Sequence, residues 1–174
     1  MTADAHPVSE TGMTGRRMIA GFSIKEFSQP PFRSLPWHEH HDASICFVVS
    51  GSYTERLAGA DWECSSHATV FKPPLEGHSD QFGRFGAKCL LVEISPDRLG
   101  TIEACTSVIA KPNVVRNARL ARFGRSIYGE FVRNDAIAPL ALEALILEAL
   151  VEAWHTTAEE SRTRPTWLRR ALDQ

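Results

Sequence analysis

The chain has 174 residues, a formal net charge of −2 and 43% hydrophobic residues, enough for one well-buried domain with an appendage and too short for two domains of ordinary size. That charge balance excludes the broad basic field on which nucleic-acid binding draws to neutralise phosphate. The four cysteines, Cys46, Cys64, Cys89 and Cys105, form no C-x-x-C pair and read as small apolar residues of a reducing compartment. No stretch approaches the length of a membrane span, and the polar opening from Met1 to Pro7 lacks the basic start and apolar run of a signal peptide. A cytoplasmic protein with no membrane partner is the expectation.

Residues 1–17 mix Thr, Gly, Ser and Asp without periodicity and read as a flexible arm. From Met18 the pattern changes: Met18, Ala20, Phe22 and Ile24 fall at every second position, as on one face of a strand, until Gln29-Pro30-Pro31 ends the run. Strand-like runs recur at Ile45–Val49, Ala68–Phe71 and Ala87–Ile94. Between them lie turn signals at Ser50-Gly51-Ser52, Gly59-Ala60-Asp61, Pro73-Pro74 with Gly77, and Gly83 with Gly86. Short strands with glycine and proline turns predict an antiparallel sandwich or barrel over residues 18–112.

After Pro112 the period switches to helical, and residues 113–160 are expected to form two helices. Leu120, Phe123, Ile127 and Phe131 make one apolar stripe, while Arg119, Arg122 and Arg125 occupy another, solvated face. A second helix should begin near Asp135, a good N-cap, with Pro139 tolerated in the first turn. It carries apolar residues on two sides: Leu140, Leu147, Val151 and Trp154 on one, and Leu142, Leu145, Ile146, Ala149 and Ala153 on the other. One side must pack on the barrel, and the other on the first helix or on a second copy. A homodimer seam through Leu142, Leu145, Ile146 and Leu150 is the expectation.

The segment from Pro36 to Gly51, with His38-Glu39-His40, a strand and a glycine turn, resembles the first motif of the cupins. Pro74-Leu75-Glu76-Gly77-His78 resembles the second, and both come in the expected order. Residues two apart on a strand share a face, so His38 and His40 can both point into a barrel and a neighbouring strand can bring His78 beside them. Three imidazoles are a sufficient donor set for a divalent transition metal. Ser44, however, stands where the motif carries its acidic ligand, and a hydroxyl ligates far more weakly than a carboxylate. No cofactor is therefore expected, and these histidines read as polar packing or ligand contacts, with a divalent metal on His38, His40 and His78 as the alternative.

The His-x-His pair, the run from Phe47 to Glu55, His78-Ser79-Asp80 and the two following helices together resemble transcription regulators of the AraC family. Arg164-Pro165-Thr166-Trp167-Leu168-Arg169-Arg170 is similar to the segment where such regulators enter their helix-turn-helix DNA-binding domain, so residues 161–174 are expected to be a linker and the start of that domain. The resemblance implies a mostly β fold with C-terminal helices: a cupin-like double-stranded β-helix (jelly-roll) barrel plus two α-helices. It also implies that the barrel binds a small-molecule effector, that the helices join a homodimer, and that DNA is reached only through the helix-turn-helix module, which these residues do not include. Effector-lining residues expected in the barrel are His38, His40, Phe47, Tyr53, Trp62, Phe71 and His78. On this reading the chain is not an enzyme. The alternative is a metal-dependent cupin enzyme, a small dioxygenase or isomerase, using His38, His40 and His78; against it stand Ser44 and the lack of a spare acid or base at a motif position.

Overall fold

The computed structural model describes residues 12–163. Its strands are β1 (Met13–Ile19), β2 (Phe22–Gln29), β3 (Ser34–His38), β4 (Ala43–Leu57), β5 (Ala60–Ser65), β6 (Ala68–Lys72), β7 (His78–Ile94) and, after two short helices, β8 (Asn113–Arg116). The short helices are α1 (Pro96–Thr101) and α2 (Thr106–Ile109), followed after β8 by the longer α3 (Ala118–Arg133) and α4 (Ala138–Thr163). The strands pair in the order β1-β2-β7-β4-β6-β8, with β3 added on β7 and β5 on β4.

Two long strands make this sheet curl. In β7, Ala87–Ile94 lies between β2 and β4, whereas His78–Gln81 lies between β3 and β4. In β4, Ser44–Phe47 pairs β6, whereas Ser52–Leu57 pairs β5. Each strand changes partners across the β-bulges at Val48/Ser50 and Gly51/Tyr53, where added twist bends the sheet on itself. Gly51 (φ +75°) sits at that bend, and a Cβ there would collide with the backbone oxygen of Gly86. Only glycine satisfies both the dihedral and the close approach.

The runs at Ile45–Val49 and Leu90–Val92 are continuously apolar because both strand faces are packed. Cys46, Val48, Cys89 and Leu91 face the barrel interior with Val70 and Phe82. Ile45, Phe47, Leu90, Val92 and Ile94 face the other way and join Phe71 in a second core with the helices. The helix-facing core is closed by Leu120, Ile127 and Phe131 of α3 and Leu142, Ile146, Ala149, Leu150 and Ala153 of α4. Asn117 caps α3 by accepting from the amides of Arg119 and Leu120 at 2.7 and 3.3 Å. Asp135 accepts from the amides of Ile137 and Ala138 at the entry to α4.

Four expectations need correction. The alternation from Met18 to Ile24 is two strands, not one: Ile19 pairs Phe22 across a tight hairpin whose turn residues Ala20 and Gly21 both have positive φ. The strand framework therefore starts at Met13, inside the stretch read as an arm; residues 1–11 lie outside the described residues. The barrel continues past residue 112 through β8, which pairs β6, so the helical region starts at Ala118. Finally, Leu142, Ile146 and Leu150 are 0% exposed within the single chain, so they cannot form a seam, and Leu145 is partly buried against the same core. The opposite side is the wet one, with Leu140 69%, Val151 47% and Trp154 37% exposed. Both sides of α4 are apolar, so period alone does not tell which one the barrel takes. The expected linker and module entry, including Trp167 and Leu168, fall mainly outside the described residues.

Candidate ligand site in the barrel

One end of the barrel interior holds a cavity of about 70 Å³ with an apolar floor of Phe27, Cys46, Phe82, Cys89 and Leu91 and a polar side of His38, His40, Tyr53, Lys72, His78 and Asp80. The volume suits a few waters or the head of a small ligand, well below the several hundred Å³ of a drug-sized site. His38 ends β3 and pairs His78 at the start of β7, which sets those two rings 4.1 Å apart, centre to centre. His40, two residues on, completes a triangle at 5.4 Å from His38 and 5.2 Å from His78. One ring nitrogen from each lies within 4.8 Å of the other two.

Each Nδ1 faces an acceptor: the Pro36 carbonyl at 2.8 Å for His38, the Glu76 carbonyl at 3.1 Å for His78, and a Glu93 oxygen at 3.5 Å for His40. A carbonyl can only accept, so the proton of a neutral ring sits on Nδ1 and leaves Nε2 as a lone pair. Burial lowers the His38 and His78 pKa values, and Lys72 and the neighbouring imidazoles lower that of His78 further. Both are neutral acceptors at neutral pH. This orientation by carbonyls and a carboxylate is the kind that metal-ligating histidines show.

One contact does not fit a metal. The Nζ of Lys72, a residue 5% exposed, lies 2.9 Å from Nε2 of His78, where an ammonium donates into the lone pair that a metal would need. The same Nζ is 2.8 Å from Oε1 of Glu55, which is fully buried. Burial works against the charged lysine, but Glu55, Asp80 and Cys46 outweigh it and raise its pKa. Tyr53 donates to the other Glu55 oxygen at 3.2 Å. Asp80 directly faces Glu55 in the β4–β7 register; burial and the Glu55 charge push its pKa up to about 7. His78, one of the three imidazoles, is thus engaged by an internal cation that Glu55 holds in place.

Ser44 pairs Glu93 of β7 on one side and Lys72 of β6 on the other. A carboxylate thus stands beside the position where the first motif has its acid, but it belongs to Glu93. Despite burial, hydrogen bonds from His40 and Lys25 hold the Glu93 pKa down at about 2. Its 2.7 Å ion pair with Lys25 ties it to the barrel wall.

Of the expected lining residues, the structure brings His38, His40, Tyr53 and His78 to the cavity. Phe47 and Phe71 are corrections: both point out of the barrel into the helix-facing core. Gly124 of α3 rests on Phe47, and a Cβ there would come within 2.7 Å of the ring. Trp62 is also a correction; it lies half-buried near the β4–β5 hairpin, donates to the Leu57 carbonyl at 3.4 Å and packs beside the interior core without lining the cavity. Sequence reasoning missed Glu55, Lys72 and Asp80. Glu55 and Asp80 sit two residues from Tyr53 and His78, so the period that selects the first pair selects the second. Taking Phe71 as inward turned Lys72 outward.

At the level of sequence no protein-family model matches the chain and no curated protein is significantly similar. Among solved structures it is similar to the AraC-like transcriptional activator CuxR, with a TM-score of 0.60 at 11% identity over 78% of this chain and 54% of that one. It is similar to ToxT from Vibrio cholerae O395, with a TM-score of 0.50 at 11% identity over 76% of this chain and 55% of that one. A cupin 2 conserved barrel domain protein from Salinispora arenicola CNS-205 aligns at a TM-score of 0.45 and 16% identity over 60% of this chain and 98% of that one. The chain spans just over half the length of the two regulators. The fold is a mostly antiparallel β-barrel with C-terminal helices, shared with those two regulators over the aligned part of each. Among the described residues no helix is long and apolar enough to cross a membrane.

Proposed function

We propose that this chain is the effector-sensing and dimerisation unit of an AraC-like cytoplasmic transcription regulator, in which DNA is read by a separate helix-turn-helix module. The observation that carries this reading is the likeness to CuxR across the barrel and the following helices together, over 78% of the chain. A cupin barrel alone would leave function open, since one fold hosts many activities. The half-open cavity, with its apolar floor and its polar side of histidines, Tyr53, Lys72 and Asp80, supports a small-molecule effector, and no catalytic step is assigned to it.

The helices supply the second half of the reading. Leu140, Leu147, Val151 and Trp154 form a stripe along α4, with Leu140 69%, Val151 47% and Trp154 37% exposed and Leu147 partly buried, as is Phe123 of α3. Covering such side chains gains roughly 1.5 to 3 kcal/mol for each that becomes fully buried. A symmetric pair of chains buries the stripe twice and suits paired DNA half-sites. The test is a fusion of residues 1–174 to a monomeric DNA-binding domain whose operator is occupied only by dimers. The reading predicts reporter repression that Val151→Glu abolishes. No repression by a soluble, folded fusion would contradict it.

The metal-dependent cupin enzyme keeps the support of three converging imidazoles. The Lys72 contact to His78 counts against it.

A further inference from the structure

We propose that the Lys72 ammonium is the resident cation of the three-histidine cluster, standing where a divalent metal would and closing the barrel to metal. This inference concerns the site itself and holds whether the barrel serves a regulator or another role.

Two donor groups meet at this point. His38, His40 and His78 form one, Glu55, His78 and Asp80 form the other, and His78 belongs to both. Together they offer three imidazole lone pairs and two carboxylates, a donor set that selects zinc, cobalt or nickel over softer ions. A site so rich in acceptors calls for a cation. Lys72 meets the need from within the chain: Nζ lies 2.9 Å from His78 Nε2 and 2.8 Å from Glu55 Oε1, contacting the histidine that both donor groups share.

The ammonium is fixed there by what would happen without it. Glu55 is 0% exposed, and a buried carboxylate without a counter-charge is strongly disfavoured. Lys72 also cannot swing out at little cost, because it ends β6, whose five residues are all buried. A second cation on His78 would have to expel the first or sit against it. Meanwhile Oδ1 of Asp80 is buried with no hydrogen-bond partner, a carboxylate oxygen that the single ammonium leaves unserved.

Removing the charge while keeping the stem should therefore uncover a metal site. The experiment dialyses the full chain and its variants against Co²⁺, then against metal-free buffer, and reads cobalt by elemental analysis and its visible ligand-field bands. The unmodified chain is expected to retain only traces. Lys72→Met should retain stoichiometric cobalt with a ligand-field spectrum that is lost in Lys72→Met/His78→Ala. Because Lys72→Met strands Glu55, the double variant Lys72→Met/Glu55→Gln is measured beside it, and it should also bind cobalt through the three histidines. On the unmodified chain, added Co²⁺ should leave the imidazole resonances of His38, His40 and His78 unshifted. Stoichiometric cobalt on the unmodified chain, lost in His78→Ala, would overturn the proposal. So would traces only in both Lys72 variants with the β-rich circular dichroism retained.

Discussion

Lys72 and Glu55 form a 2.8 Å ion pair inside the barrel, with side-chain exposures of only 6% and 0%. Each is the condition for the other's burial. Breaking such a pair from one side leaves an uncompensated charge and costs about 3–5 kcal/mol, whereas removing both partners costs far less. Urea denaturation of Lys72→Met, Glu55→Gln and the double variant should thus show the double variant losing less stability than either single one, a strongly non-additive result. Additive losses would mean that the two side chains do not depend on each other.

Glu93 sets a pH dependence. Burial alone would raise its folded pKa, but the His40 and Lys25 hydrogen bonds outweigh burial and depress it to about 2 from an ordinary 4.5. Its contribution is fully present above about 4.5 and is lost as pH falls toward 2. Glu93→Gln should cost about 1.5–3 kcal/mol at pH 7, the range for hydrogen bonds to a charged group. Thermal melts of the two proteins should converge as the pH is lowered through that window. A gap that stays constant down to pH 3 would assign the loss to packing instead.

Gly124 of α3 lies so close to Phe47 that an added Cβ would meet the ring at 2.7 Å. Gly124→Val should destabilise the chain by about 1–3 kcal/mol through overpacking, even though valine is the better helix former. Stabilisation by this change, read from the urea midpoint, would show that α3 does not rest on the sheet as described.

The two sides of α4 should separate stability from assembly. Ile146→Ala and Leu142→Ala remove side chains with 0% exposure and should each cost about 2–5 kcal/mol without changing the mass of the folded species. Leu140→Glu with Val151→Glu, at side chains 69% and 47% exposed, should give a folded monomer with little loss of stability. Light scattering together with circular dichroism reads both. A monomer from Ile146→Ala at full stability, or unfolding from the double Glu variant, would reverse the assignment of faces.

Much of the architecture is legible in the sequence because its cause is local. The short apolar run from Ile45 to Val49 and the stripe from Leu120 to Phe131 mark strand and helix, and the glycine and proline turns divide them. The errors share a different cause, which is choosing between two faces of one element. Phe47 against Cys46, Phe71 against Lys72 and, in α4, Ile146 against Val151 are choices that local pattern leaves open, and only long-range packing decides. In α4 the deciding fact is that Ile146, not Val151, is buried in the core that the helices share with the sheet. The histidine cluster is visible as a motif, but its meaning rests on Lys72 and Glu55, 17 residues apart in sequence and joined only by the register of β4, β6 and β7.

A sensing role requires the barrel to hold a small molecule. Native mass spectrometry of the chain after incubation with a bacterial small-molecule extract tests this directly. A single adduct per chain is expected, retained on Leu140→Glu and lost on folded His78→Ala. No adduct across extracts from varied growth conditions, an adduct indifferent to His78, or turnover of the bound compound into a released product would contradict it.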